Sequence, residues 1–323
     1  MNKFVYKFLT FLAIGLAVSF GVHAQSSYPD KPIKLIVPWP PGGSADALGR
    51  LIAVGLTNQL GKQVIVENLG GAGGNIGTQA FIKAQPDGYT LLLASSSTNS
   101  ANPSLYEKVP FDPIKDFVPV IEFASAPSVL VVATNSPYKT VKEIVAAAKS
   151  APGKLSYASG GNGNSAHLTG EQFKSQTGIF VLHIPYKGNT PALVDVMGGQ
   201  VDYMFNNGAI NQIKGGKVRA LGVTSGNRLA AIPDVPTMKE QGYPGVQLST
   251  WFGVAAPANT PEAIVNKLNV ALNNVLKNPD VIKNIVEMGA EPKGGSAADF
   301  ASTWKKDLAR YAELVKISGA KIE

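Results

Sequence analysis

The sequence contains no cysteine, and only 16% of its 323 residues carry a charge. Because cysteine is absent, disulfide scaffolds, zinc ribbons and cysteine nucleophiles are all excluded. An average soluble domain is about 25% charged, so this chain has few side chains that could form ionic contacts. The formal net charge is +7. Low charge and ordinary aromatic content argue against disorder and against a nucleic-acid-binding tail.

The first 24 residues have the features of a secretory signal peptide. Lys3 and Lys7 precede an uncharged, mostly apolar stretch over residues 8–22, and residues 22–24 have the small-x-small pattern of a cleavage site. The apolar stretch is shorter than the ~18 residues that usually span a membrane. We therefore predict cleavage after Ala24 and an exported protein without a lipid anchor, because no cysteine is available to carry one.

Strand-like and helix-like segments alternate from residue 31 onward, which is typical of an α/β protein with largely parallel sheets. Apolar runs and period-two patterns predict strands over residues 31–37, 63–66, 89–94, 128–133, 155–158, 180–184, 201–205 and 218–224. Helix ends are marked by capping residues. Gly61 predicts a helix C-terminus. Helix starts are predicted at Thr140, Thr190, Thr260 and Ser296.

The length of the chain predicts two lobes, each large enough to bury a core. Two extended segments, at residues 125–127 and 247–251, are candidates for the crossings between them. With both crossings in place, lobe 1 comprises residues 25–125 and 251–323, and lobe 2 comprises residues 126–250.

Three predicted loops share a design suited to anions. Residues 38–46, 95–99 and 159–165 each follow a strand, precede a helix, and contain small polar or glycine residues without Lys or Arg. A helix N-terminus offers unpaired N–H groups and the positive end of the helix dipole, so it binds anions without a basic side chain. In open α/β sheets ligands bind at the carboxyl ends of strands. Ordinary turns would have the same composition, but three such loops together favour a small anionic ligand.

Enzyme signatures are weak in this sequence. Gly161 and Gly163 imitate a dinucleotide fingerprint, but the position expected for the ribose-binding acid holds Tyr186 and Lys187. We find no Walker lysine motif, nucleophile elbow or metal-binding pair at helical spacing. The sequence therefore predicts a protein that is not an enzyme and has no cofactor or metal.

Three polar residues have to be weighed individually. Asp46 could cap the first helix or accept a hydrogen bond from a ligand amine. His167 begins a helix beside residues 164–165, where it could line the site or be structural, and His183 lies in an apolar strand as a core residue.

Motifs along the whole mature chain resemble those of the Bug-type receptors, the periplasmic solute-binding proteins of tripartite tricarboxylate transporters. The segments that carry the resemblance include residues 37–46 (VPWPPGGSAD) with Arg50, 86–93 (PDGYTLLL), 102–106 (NPSLY), 186–192 (YKGNTPA), 198–202 (GGQVD), 233–237 (PDVPT) and 251–257 (WFGVAAP). Each segment alone is weak evidence for the resemblance, whereas the whole set in this order is specific to the family.

The resemblance implies a periplasmic-binding-protein fold, with two α/β lobes, a ligand cleft between them and two crossing strands as the hinge. It implies a monomeric periplasmic protein that binds a small organic carboxylate, such as a di- or tricarboxylate, an acidic amino acid or an aromatic acid. It also implies delivery to the membrane subunits of a tripartite tricarboxylate-type transporter. A nucleic-acid partner is not expected.

The same resemblance implies the site residues. The residues that match the family's ligand-binding positions are Trp39, Gly43, Ser44 and Asp46 in the first loop, Ser96 and Thr98 in the second, Ser159, Asn164 and Ser165 in the third, and Asn206 after a later strand. Two of these depart from the family pattern, which often has Ser or Thr at Asn164 and Asp at Asn206. An Asn in place of Asp removes a negative charge, which disfavours a ligand amine and tolerates a second carboxylate.

Two alternative functions remain open on the sequence. A receptor that feeds a sensor protein would have the same sequence features as one that feeds a transporter. An exported hydrolase of carboxylic esters would need a nucleophile beside a base, and no such arrangement is evident.

Overall fold

Apolar residues at strand and helix periods build two β-sheets that are covered by helices. The structure is a computed structural model that describes residues 28–322. Its strands are β1 (Ile33–Val37), β2 (Val64–Asn68), β3 (Thr90–Ser95), β4 (Phe117–Pro127), β5 (Val129–Ala133), β6 (Ser156–Ser159), β7 (Leu182–Pro185), β8 (Tyr203–Asn206), β9 (Val218–Val223), β10 (Ser249–Pro257) and β11 (Glu291–Pro292).

Helices connect most of these strands. They are α1 (Ser44–Leu60), α2 (Asn75–Ile82), α3 (Asn102–Leu105), α4 (Val141–Ser150), α5 (Ser165–Thr177), α6 (Asn189–Met197), α7 (Ile210–Lys214), α8 (Glu262–Val275), α9 (Pro279–Glu287) and α10 (Ala297–Ser318). A short 3₁₀ turn over Ala72–Gly74 precedes α2, and a π-helical turn over Ser97–Ala101 precedes α3.

The sheets are mixed, so the expectation of largely parallel sheets is wrong. The first sheet has the order β11-β4-β10-β3-β1-β2, and the second has the order β7-β6-β8-β5-β9. β1 is parallel to β2 and β3, whereas β10 is antiparallel to both β3 and β4. The physical reason is that β4 carries the chain out of the first sheet and β10, which returns it, inserts between β3 and β4. In the second sheet, β5 is antiparallel to both neighbours.

Two adjacent segments connect the sheets. β4 ends at Pro127 and β5 begins at Val129, while Ser249 at the start of β10 pairs with Pro127. Thr224 ties the two segments together, because its Oγ1 accepts the Ser128 N–H at 2.9 Å and donates to the Leu248 carbonyl oxygen at 2.6 Å. The strands thus change sheet at Ser128 and between β9 and β10, close to the predicted crossings. The assignment of whole segments to the lobes 25–125 with 251–323 and 126–250 stays a prediction.

Each sheet carries apolar layers on both faces. In the first sheet, one layer packs beneath α1 and α8, and the other contains the tryptophans Trp251 and Trp304. In the second sheet, one layer includes Phe173 of α5 and the other includes Leu193 of α6. A further cluster joins the two halves, because Tyr311 and other apolar residues of α10 pack with Leu168 of α5.

The capping predictions have a mixed outcome. Gly61 ends α1 in the left-handed conformation, and the capping boxes at Thr140 and Ser296 both form, as predicted. The N-cap predictions at Thr190 and Thr260 are wrong. α6 starts before Thr190, with Gly188 as its N-cap, and Pro261 is the N-cap of α8. The Thr260 hydroxyl donates instead to the Pro257 carbonyl oxygen at 2.7 Å, a turn that competes with capping.

The predicted signal peptide, residues 1–24, lies outside the described residues. Within residues 28–322, none of the helices combines the length and the apolar character that crossing a membrane requires.

Candidate functional site

The predicted loops lie at the carboxyl ends of parallel strands. β1 and β3 are parallel neighbours, so residues 38–43 and Ser96 meet at one edge of the first sheet. β6 and β8 are parallel neighbours in the second sheet, so residues 160–164 and Asn206 share an edge there. Both edges lie towards the crossings, because β4 leaves the first sheet and β5 enters the second at Ser128.

Asp46 holds the first loop together from inside. It is only 5% exposed, and its Oδ2 accepts the Gly42 N–H at 2.9 Å and the Arg50 Nε–H at 3.1 Å. Its Oδ1 accepts Nδ2–H of Asn68 at 2.9 Å. The Asn68 amide also donates to the Trp39 carbonyl oxygen at 3.1 Å. The Asp46 carboxylate is therefore occupied by the loop that it supports.

These contacts set the charge state of Asp46. Burial opposes ionisation, but the hydrogen bonds from Arg50, Gly42 and the Asn68 amide outweigh it and lower the pKa of Asp46. The carboxylate is thus ionised at neutral pH, and Arg50, whose Nη2 lies 3.0 Å from Oδ1, balances its charge. The loop has no net charge to present to a ligand.

The N-terminus of α1 remains available to an external acceptor. Gly43 is the N-cap and has no side chain, so no capping hydrogen bond covers the first turn. The N–H groups of that turn have no acceptor within the helix. Ser44 follows at the first helical position and is exposed. The buried indole N–H of Trp39 has no hydrogen-bond partner among the described residues.

In the second loop, the predicted hydroxyls are buried and already engaged. Ser96 is fully buried, and its Oγ lies 3.1 Å from the hydroxyl of Tyr311 on α10. Thr98 is also fully buried, and its Oγ1 donates to the Gly73 carbonyl oxygen at 2.9 Å. Asn102 donates to the same carbonyl oxygen at 3.0 Å. Both predicted residues thus fix the π-helical turn against its neighbours.

The third loop is closed by Asn164 and Ser159. Asn164 is the N-cap of α5, where its Oδ1 accepts the His167 N–H at 3.0 Å and its Nδ2 donates to Asn189 at 2.8 Å. Ser159 is buried at the end of β6, and its Oγ lies 2.6 Å from His183 Nε2. An amide cap and a hydroxyl therefore hold the two ends of residues 159–164.

Asn206 ends β8 in a buried position. It is 3% exposed, and its Oδ1 accepts the Gly208 N–H at 2.7 Å, which shapes the turn into α7. Its side chain thus acts on the backbone of its own loop.

Two histidines stack behind the third loop. The ring centroids of His167 and His183 are 4.0 Å apart, with an interplanar angle of 10°. Burial lowers the pKa of His183 to about 3, and His167 and Lys174 add to the shift. Burial also lowers the pKa of His167. Both rings are therefore neutral at neutral pH.

The two halves of the molecule touch beside these loops. Gly163 lies against Leu105 of α3, since a Cβ on Gly163 would be 2.6 Å from Leu105 Cδ2. Gly289, after α9, lies against Ile210 at the start of α7 in the same close manner. The contacts join the first half of the molecule to the second at two separate places.

The structure separates the ten predicted site residues into two groups. Five reach the surface fully or in part, namely Trp39, Gly43, Ser44, Asn164 and Ser165. Five are buried beneath the loops, namely Asp46, Ser96, Thr98, Ser159 and Asn206. Sequence reasoning missed four features that support these loops, namely Asn68, Tyr311, Asn189 and the paired role of His167 with His183.

One of these could have been found from the sequence. Asn68 ends the strand beside β1, so it shares the sheet edge of the first loop. Tyr311 is more than 200 positions from Ser96 in the chain, and no local pattern connects them.

Comparison with known proteins places these features in a family. The chain matches the family described as "Tripartite tricarboxylate transporter family receptor" over residues 48–320. The protein BugT of Bordetella pertussis is 38% identical over 303 residues, which are 93% of each chain.

Solved structures agree with this match. An R. palustris protein solved with adipate is 33% identical, with a TM-score of 0.83 over 91% of this chain and 100% of the other. MatC from Rhodopseudomonas palustris, solved with bound malate, is 31% identical, with a TM-score of 0.78 over 89% of this chain and 100% of the other. The periplasmic-binding-protein fold with two lobes is therefore confirmed. This chain belongs to the family of tripartite tricarboxylate transporter receptors, the Bug-type solute-binding proteins.

Proposed function

We propose that this receptor captures a small organic carboxylate between its two lobes and delivers it to a membrane transporter of the tripartite tricarboxylate type. The observation that carries the proposal is the uncapped N-terminus of α1, which faces the edge of the first sheet in a loop without Lys or Arg. Such N–H groups bind an anion through hydrogen bonds and the helix dipole. The ligands of the two R. palustris relatives, adipate and malate, are carboxylates.

In this proposal the two groups of predicted residues have different tasks. Trp39, Gly43 and Ser44 contact one carboxylate, and Asn164 and Ser165 contact the ligand from the other lobe. The five buried residues hold the loops in place. Binding then buries the ligand's charge among neutral donors that replace its lost hydration. Greater affinity for the closed arrangement drives the lobes together.

We further propose that the chain acts as a periplasmic monomer after removal of residues 1–24. The neutral side chain of Asn206 leaves the far end of the ligand without a fixed negative charge beside it, which favours a second carboxylate over an amine. A receptor that feeds a sensor protein remains the alternative, and the neighbouring genes would distinguish the two.

Thermal-shift measurements test the ligand class. Adipate, malate, citrate and glutamate at millimolar concentration are compared with adipamide, which keeps the chain length of adipate but has no charge. We expect at least one acid to raise the melting temperature, since a ligand that binds only the folded state stabilises it by mass action. If every acid leaves the melting temperature unchanged, the carboxylate proposal is wrong. If adipamide raises the melting temperature as much as adipate does, the proposal of an anion site is wrong.

A further inference from the structure

The ring of His167 closes the backbone at the start of α5. Gly163 donates its N–H to His167 Nδ1 at 2.9 Å, and both residues are buried. In return, the Oδ1 of Asn164 accepts the His167 N–H at 3.0 Å. These reciprocal bonds resemble a capping box, with an imidazole nitrogen where a Glu carboxylate usually stands. The third loop is therefore held by a group that can titrate.

The bond from Gly163 specifies the state of the imidazole. A ring nitrogen accepts a hydrogen bond only while it carries no proton, so Nδ1 must be bare and the neutral ring must carry its proton on Nε2. A proton on Nδ1 would turn the acceptor into a donor that faces the Gly163 N–H. Protonation at this atom and the observed hydrogen bond exclude each other.

His183 braces the same loop from its other end. Ser159 Oγ accepts the Gly161 N–H at 3.1 Å and donates to the Gly161 carbonyl oxygen at 3.1 Å. Ser159 Oγ also lies 2.6 Å from His183 Nε2, and this hydrogen bond ties His183 to the loop whichever of the two atoms donates. Since the His183 ring stacks on His167 at 4.0 Å, the pair fixes both the first and the last part of residues 159–163.

Burial keeps both rings neutral at neutral pH, and the charges near His167 act in opposite directions. Glu171, on the same helix, lies 3.9 Å from His167 Nε2 and would favour a charged ring. Its carboxylate is already shared, because Lys174 Nζ and the hydroxyl of Tyr157 donate to it at 2.7 and 2.6 Å. Tyr157 also stacks on His183. Burial is the largest cause of the lowered pKa of His167, followed by Glu171, which opposes it, and Lys174.

The braced loop is also where the two lobes meet. Gly163 has a φ of +76°, and it lies so close to Leu105 that a Cβ on Gly163 would force the Leu105 side chain to shift. A change in the direction of the Gly163 N–H would therefore alter the surface that the second lobe presents to the first.

We propose that His167, braced by His183, is a positioning residue for ligand capture, whose neutral ring fixes residues 159–165 and whose protonation at Nδ1 releases them. The proposal rests on the proposed function, since residues 164–165 are the ligand contacts of the second lobe. It makes the receptor release its ligand in acid by a local change in one loop.

Nuclear magnetic resonance tests the positioning role without any ligand. In ¹⁵N-labelled protein, we expect the Gly163 amide to be protected from solvent exchange and to shift with pH together with His167 Nδ1. His167→Ala should remove the protection. His167→Asn should keep it, because Oδ1 of Asn can accept the same N–H and does not titrate. Equal protection in wild type and His167→Ala would overturn the proposal.

Ligand titration tests the consequence for capture. With malate or adipate as the probe, we expect wild-type affinity to fall about tenfold or more as the pH is lowered from about 6.5 to about 4.5, because the lowered pKa of His167 places its protonation below the usual histidine range. His167→Asn should bind within about threefold of wild type at the higher pH and lose that extra pH dependence, because an equivalent hydrogen bond remains. His183→Phe keeps a stacking ring and should retain the pH dependence of the wild type. If His183→Phe removes the pH dependence and His167→Asn does not, the assignment to His167 is wrong.

The two experiments separate this proposal from the proposed function. If none of the carboxylic acids raises the melting temperature of the wild type, the proposed ligand class is wrong. Loss of Gly163 amide protection in His167→Ala would still support the positioning role in that case.

Discussion

Gly163, just before α5, and Leu105 of α3 are in direct contact beside the proposed ligand loops. The φ of Gly163 is +76°, and a Cβ there would lie 2.6 Å from Leu105 Cδ2. This contact favours a glycine for two reasons, the left-handed backbone conformation and the close approach of Leu105. The two reasons can be separated experimentally, because α5 has a second left-handed glycine, Gly178, at its other end, where an added Cβ would have nothing within 4 Å.

We predict that Gly163→Ala weakens binding of malate or adipate by about tenfold or more, because the added methyl group keeps the lobes apart. Gly178→Ala should leave affinity unchanged. Both variants should lose about 1–2 kcal/mol of stability from the left-handed backbone. Calorimetric titration and denaturant unfolding measure the two effects. Equal affinities for the two variants would contradict a role of the Gly163–Leu105 contact in capture.

Asp46 should act on stability more than on ligand chemistry. Asp46→Asn replaces one acceptor oxygen by a donor, which leaves a partner such as the Gly42 N–H or the Asn68 amide unpaired. We expect a loss of about 1–3 kcal/mol in unfolding free energy, typical of a buried group without its partner. Asp234→Asn, at an exposed position, is the control and should change stability by less than about 0.5 kcal/mol.

The same variant separates the two possible roles of Asp46. If the carboxylate only holds the loop, Asp46→Asn should lower the affinity for malate and the affinity for aspartate by the same factor. A selective loss of aspartate binding would instead show that Asp46 contacts a ligand amine. Competition titrations with the two acids make the comparison.

Ser44 lies at the N-terminus of α1, where a negative charge would compete with the ligand. We predict that Ser44→Glu reduces carboxylate affinity by more than about a hundredfold, because it places an anion at the dipole end that the ligand needs. Ser175→Glu adds the same charge to an exposed position on α5 and should leave affinity unchanged. Unchanged affinity in Ser44→Glu would place the site elsewhere.

The two stacked histidines should make the fold less stable in acid. The folded-state pKa of His183 is lowered to about 3, whereas an exposed histidine has a pKa of about 6.5. Between these values the unfolded chain binds more protons than the folded one, so stability rises with pH. We predict that unfolding free energy falls as the pH is lowered from about 6.5 towards 3. Denaturant titrations at several pH values measure the slope.

His183→Phe is the matched variant for this slope. It keeps an aromatic ring against Tyr157 and His167 but cannot bind a proton, so the dependence between about pH 6.5 and about pH 4.5 should become shallower. An unchanged slope would show that His183 is not neutral in the folded protein. The lowered pKa of Asp46 acts in a lower range, since its stabilising contribution is lost only as the pH falls below about 3.8.

Much of the fold could be predicted because local patterns determine it. The apolar strands, the Gly61 C-cap and the capping boxes at Thr140 and Ser296 depend on residues within a few positions of each other. The mixed strand directions could not be predicted in this way. They depend on the insertion of β10 between β3 and β4, which is a contact between segments more than 120 residues apart.

The candidate site has the same division. The glycine and serine loops at strand ends were visible in the sequence, since ligands bind at the carboxyl ends of strands. The structure adds that Ser96 and Thr98 are buried and bonded to Tyr311 and Gly73. Whether a hydroxyl faces a ligand or a neighbouring loop depends on tertiary packing, and composition alone does not encode it.

The most direct test of carboxylate capture is a calorimetric titration of the wild-type protein with adipate and with adipamide at neutral pH. The two compounds have the same carbon chain, and only adipate has the charges that the N-terminus of α1 would bind. With malate as a second acid, we expect saturable binding of at least one acid at one site per chain and no binding of the amide. Binding of neither acid, or equal binding of adipate and adipamide, would contradict the proposed function.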